Sequence, residues 1–178
     1  KNHVAYATYA AEEDDDVRDF LKERQVVNNI SDFDLSFLKL ENSKANKVYS
    51  PLSIKCGLKM IQQGSSGIAK WKIIQSIGNR DLTKYTANTN MSFANAFFIR
   101  DSYKENISKN YIEDLKTNHN AEVVFDEFKK PDNINSWVSN KTFNLISGLL
   151  DDDKVKKQDV ILTNALAINM EWQKMLQA

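Results

Sequence analysis

The sequence predicts a mixed α+β fold whose long strands belong in the middle of a large sheet. Three observations carry that prediction. Residues 91–99 alternate strictly, with Met91, Phe93, Asn95, Phe97 and Ile99 on one face and Ser92, Ala94, Ala96 and Phe98 on the other. Residues 160–172 alternate in the same way, through Val160, Leu162, Asn164, Leu166, Ile168, Met170 and Trp172. Elsewhere apolar residues recur at helical spacing, so helices come first and strands and helices then take turns. Both faces of the first strand are largely apolar, which calls for cover on both sides.

The elements follow in order. Residues 1–28 carry the acidic run Glu12 to Asp16 and then Val17, Phe20 and Leu21 on one helical face. This reads as a solvated extension or linker with a short helix, the acids favouring its N-terminus. An EF-hand is excluded because its ligand spacing and turn glycine are missing. Residues 29–178 read as part of a single domain. Phe33, Phe37 and Leu40 predict a helix over 31–41, followed by a polar loop over 42–46. Residues 47–50 read as a short strand stopped by Pro51, which has no N–H to donate. Ser53 is expected to cap the next helix, with Ile54, Leu58 and Ile61 lining its buried face. Ile68, Trp71 and Ile74 predict a helix over 67–77 that stops at Gly78. Ile107, Tyr111, Ile112 and Leu115 predict one over 106–117, and residues 121–125 a strand. Asp132 is expected to cap a long amphipathic helix whose stripe is Ile134, Trp137, Val138, Leu145 and Leu149.

Composition excludes several classes of function. The 178 residues carry 24 bases and 24 acids, a balance that argues against a dedicated nucleic-acid binder or a basic membrane-surface module. No apolar run approaches the roughly 20 residues that span a bilayer. The single cysteine, Cys56, permits no internal disulfide. The chain opens on Lys1, which reads as a processed or trimmed start, so a missing leader carries no weight.

Asn95 and Asn164 each interrupt an otherwise apolar strand face. A buried amide offers two donors and two acceptor lone pairs, and an unpaired polar group costs roughly 1–3 kcal/mol. Two readings are open. The amides could make separate hydrogen bonds to nearby backbone, or they could form one polar latch between two strands, with Ser50 and Ser53 as further partners. Catalytic machinery is harder to find. His3 lies in the extension, and His119, after a helix end, reads as solvent-facing. Cys56 sits among apolar neighbours and reads as an inert thiol. Residues 64–67 lack the lysine and spacing of a phosphate loop. The tripeptides at Asn29, Asn90, Asn106 and Asn140 match glycosylation acceptors, as chance allows in an Asn-rich chain. No metal site, cofactor site or catalytic residue is expected.

Five phrases then resemble the serpin family of serine-protease inhibitors, in family order. The family's Asn-Val-Val-Phe-Ser-Pro-Leu-Ser-Ile is similar to residues Asn46 through Ile54, which keep Ser50, Pro51, Leu52 and Ser53. Its Ala-Asn-Ala-Leu-Phe strand is similar to Ala94-Asn95-Ala96-Phe97-Phe98. Its Tyr-Asn-Ala-Glu-Val is met by His119-Asn120-Ala121-Glu122-Val123, with histidine in the tyrosine's place. Its helix F phrase is matched by Ile134, Asn135, Trp137, Val138, Thr142 and Ile146, and its Asn-Ala…Trp strand by Asn164, Ala165 and Trp172. Residues 167–170 depart from the family's Tyr-Phe-Lys-Gly.

The resemblance implies a central β-sheet A with helices A, B, C, E and F around it, helix D being reduced or absent. It covers the amino-terminal half only, so the fold is expected to need a carboxy-terminal half. It places Ser50, Ser53, Asn95 and Asn164 in the shutter beneath the sheet and Trp172 at the breach. It implies a non-enzyme that traps a target serine or cysteine protease through a reactive loop outside this chain, and an extracellular or cell-surface setting. A non-inhibitory serpin-like binding or storage protein is the alternative.

Overall fold

A computed structural model describes residues 30–40, 50–78, 82 and 85–170 of the chain. The acidic extension, the 42–46 loop, residues 47–49 and Trp172 lie outside the described residues. The chain divides into two units, residues 1–82 and 83–178.

The described part of the first unit is three helices: α1 (Ile30–Leu40), α2 (Pro51–Gln63) and α3 (Gly67–Ile77). Ser50, and not Ser53, is the N-cap of α2. Its hydroxyl accepts from the Ser53 N–H at 3.2 Å. Pro51 explains the shift: proline is preorganised for the first helical position, where its missing N–H costs nothing, so the residue before it caps. The inward side of α2 carries Lys55, Cys56, Lys59, Met60 and Gln62, while Ile61 is exposed. Lysine stems bury readily when the ammonium finds a partner. Lys55 Nζ finds Asp34 of α1, with Oδ1 at 2.8 Å and Oδ2 at 3.0 Å. Leu40, expected inside, is exposed at the end of α1. Helix α3 keeps its expected bounds, and Gly78 ends it at φ 76°, a left-handed angle that favours glycine.

The second unit is built on a three-stranded sheet. Its elements are β1 (Met91–Arg100), α4 (Lys109–His119), β2 (Ala121–Asp126), α5 (Asp132–Lys141), a short α6 (Asp152–Val155) and β3 (Val160–Ile168). The order is β2-β1-β3. Strand β1 runs parallel to β2, with α4 as the connection, and antiparallel to β3 from Met91↔Ile168 to Ile99↔Val160. The even-numbered face of β1 meets α5: Ala96, Phe98, Phe128, Ile134, Trp137, Val138, Val155 and Ala165 form one core. Phe98 meets Trp137 edge-on at 6.1 Å, a favoured aromatic geometry. The odd-numbered face meets α4, where Phe97 meets Tyr111 edge-on at 5.8 Å.

Helix α5 is shorter than its apolar spacing predicts. It ends at Lys141, and Leu145 and Leu149 are exposed. The Thr142 hydroxyl turns back to donate to the Val138 carbonyl at 2.7 Å and accepts from the Ile146 N–H. Phe143 and Asn144 then take φ 53° and 60°, which no helix continues through. At the start, Pro131 rather than Asp132 is the N-cap residue, and Asp132 falls in the first turn. Downstream, Asn135 Oδ1 accepts from the Leu149 and Leu150 N–H groups, and its Nδ2 donates to the Leu150 carbonyl. That clasp returns the chain across α5 towards β3.

One end of the sheet is gathered by Arg100. Its guanidinium donates to the carbonyls of Lys156 at 2.8 Å, Gln158 at 2.5 Å and Glu127 at 3.1 Å. It also lies 5.3 Å over the Phe128 ring, a cation–π distance. At the opposite end Asn169 N donates to Asn90 O at 2.7 Å, and Asn88 Oδ1 accepts from the Asn90 and Met91 N–H groups at 2.8 Å each.

Candidate functional site

The candidate site begins with the two asparagines. Strand alternation puts Asn95 with the odd-numbered residues of β1 and Asn164 with the even-numbered residues of β3 on the same face, and the antiparallel register makes them direct partners. Asn164 Nδ2 donates to Asn95 Oδ1 at 2.7 Å. Asn95 Nδ2 in turn donates to the His119 carbonyl at 2.9 Å. That carbonyl belongs to the last turn of α4, where no intrahelical N–H is left to meet it. Asn120 follows as the C-cap at φ 48°, a left-handed position that asparagine tolerates. It turns the chain into β2, where Ala121 is the other register partner of Asn95.

Asn95 therefore ties three things together on the middle strand: β3 through Asn164, the end of α4 through a carbonyl, and β2 through the backbone ladder. It is buried. The structure carries an element of each reading: the two amides bond to each other across β1 and β3, and Asn95 also bonds to a nearby backbone carbonyl. Asn164 Oδ1 is buried and has no donor among the described residues, so the network ends in an open acceptor.

Ser50 and Ser53 are brought to each other at the start of α2, as described above. The histidine reading needs correction. The His119 side chain is only 15% exposed and its Nε2 lies 3.6 Å from Asp114 Oδ2 on the preceding turn. It is not solvent-facing, because the αL turn at Asn120 folds the helix end back onto the sheet. Cys56 is a buried thiol, raised in pKa by desolvation and partly offset by the Lys55 charge, which keeps it protonated and unreactive. Among the described residues no group of three or more His, Cys, Asp or Glu could hold a metal, and no helix is long and apolar enough to cross a membrane.

Comparison with known proteins bears on this arrangement. Residues 28–178 match the family described as Serpin (serine protease inhibitor). The chain belongs to the serpin family. It is 25% identical to an uncharacterized serpin-like protein of Methanosarcina acetivorans, over 82% of this chain and 40% of that protein. It is 27% identical to neuroserpin of Mus musculus, over 71% of this chain and 36% of that one. The chain thus spans about two fifths of the length of these serpins. Among solved structures it resembles tengpin, a thermophilic serpin, in the latent state, with a TM-score of 0.70 and 22% identity over 84% of this chain and 45% of that chain. The likeness shows a serpin fold, truncated relative to full-length serpins.

Proposed function

We propose that this chain supplies one wall of a strand-insertion gap in a protease inhibitor, together with the polar latch that holds the wall shut. The observation that carries the proposal is the Asn95–Asn164 pair. The two amides are register partners, and their hydrogen bond fixes β3 to β1. Strand addition beside β3 is the mode by which serpin reactive loops enter a sheet. In this reading a target serine or cysteine protease cleaves the reactive loop, which lies outside this chain, and forms an acyl-enzyme. The loop then inserts beside β3 before deacylation, driven by strain stored in the native fold. The open acceptor on Asn164 suits a latch that is remade when the sheet takes a new strand. Ser50, Ser53 and Trp172 enter as the shutter and breach residues that the family phrases assign, and the setting as extracellular or cell-surface.

The complete protein that carries this chain is mixed with trypsin-like, elastase-like and subtilisin-like proteases. A covalent complex that survives detergent is the expected result. Cleavage with full turnover and no complex would assign the chain to the non-inhibitory binding or storage class. Asn164→Leu in the complete protein is expected to promote spontaneous insertion or polymerisation, and unchanged latency would remove the latch.

A further inference from the structure

We propose that His119 makes the β1–β3 latch pH-responsive, acting as a positioning residue whose charge sets how firmly its own carbonyl holds Asn95. The proposal concerns the same site as the function above, but its test requires no protease. Two observations converge. The His119 carbonyl is the acceptor of Asn95 Nδ2, and Asn95 Oδ1 is the acceptor of Asn164 Nδ2. The imidazole Nε2 lies 3.6 Å from Asp114 Oδ2, inside ion-pair range but beyond a good hydrogen bond. A neutral ring gains little from that contact, whereas a protonated ring gains an ion pair.

The last two turns of α4 also carry Glu113 and Lys116, the latter three residues before His119 and a like charge that works against its protonation. On α4 itself, Asp114 also accepts from the Asn118 amide, and Tyr111 lies one turn earlier against Phe97. The Tyr111 hydroxyl is raised in pKa by burial and then by the Asp114 charge. The α4-facing positions of β1 are Phe93, Asn95, Phe97 and Ile99, and those of β2 are Ala121, Val123 and Phe125. None of these is ionisable. Lys104, over the Phe125 ring, is the cation at the far end of that face. The helix end adds to the sign, because the C-terminal turn of α4 presents unpaired carbonyls that favour a cation.

The direction follows. Protonation of His119 strengthens the turn whose carbonyl anchors Asn95, so the latch is tighter on the acid side. The added stability is present when the ring is charged and is lost as pH rises through the range where histidine gives up its proton, about pH 5 to 8. The only other histidine in the sequence is His3.

The test is hydrogen exchange of β1 and β3 amides in the complete protein that carries this chain, at about pH 5.5 and about pH 8, corrected for intrinsic exchange rates. Protection of residues 91–100 and 160–168 is expected to be about two- to five-fold higher at the acid pH. His119→Tyr, which removes the imidazole, is expected to flatten that difference, and Asp114→Asn to reduce it while leaving the histidine in place. Equal protection at both pH values in the unmodified chain would overturn the proposal, as would the same pH dependence in His119→Tyr. If His119→Tyr does not fold, Asp114→Asn decides: an undiminished difference overturns the proposal. Absence of protease inhibition, with the pH effect intact, would count against the proposed function alone.

Discussion

Strands β1 and β3 have nearly the same sequence logic and opposite situations. Each alternates, each carries an asparagine at its centre, and the two asparagines are partners. Yet among the described residues β1 is paired on both edges, with Phe98 and Ile99 at 1% and 0% exposure, while β3 is paired on one edge and leaves Val160 and Ile168 at 39% and 57%. The difference teaches that alternation specifies a strand and its faces but not its neighbours. A strand with two partners and a strand with one are written in the same alphabet.

The comparison can be broken by substitution. The largest contrast is expected between Phe98→Ala and Ile161→Ala, which sit opposite each other in the register. The phenylalanine fills the core against Trp137, so its loss is expected to cost about 3–5 kcal/mol in denaturant unfolding. The half-buried isoleucine on β3 is expected to cost clearly less. Equal losses would mean that β3 is as central as β1. Next come the asparagines. Asn95→Leu strands the Asn164 amide and the His119 carbonyl together, whereas Asn164→Leu strands only the Asn95 acceptor. With each orphaned group costing about 1–3 kcal/mol, Asn95→Leu is expected to be the more destabilising by about that amount. A reversed order would place the centre of the network on β3. The smallest effect is expected at the open end of β3, where Ile168→Thr removes an exposed side chain and should shift stability by about 0.5 kcal/mol or less.

Much of this was legible in the residues. The strands read over 91–99 and 160–172 are found over Met91–Arg100 and Val160–Ile168, and the faces they share follow from a period of two, which no helix imitates. What misled was information of longer range or finer grain. Leu145 and Leu149 keep helical spacing beyond α5, but a threonine hydroxyl and two left-handed residues end the helix first. Ser50 and Ser53 are equally good capping residues by type, and only the position of Pro51 separates them. His119 resembled a surface residue because its burial comes from the left-handed turn at Asn120, a conformation rather than a composition.

The Arg100 cluster has a mechanical consequence. One guanidinium binds carbonyls that flank β2 and β3 at the Arg100 end of the sheet, whereas at the Met91 end the hydrogen bond that joins the two chain segments beyond the ladder is Asn169 N to Asn90 O. Force applied to β3 therefore meets a hinge at one extremity and a clasp at the other. Prising the strands apart should start beside Met91 and Ile168 and travel inward, as a book opens from its fore-edge toward the spine, with the asparagine pair as the page-marker halfway along.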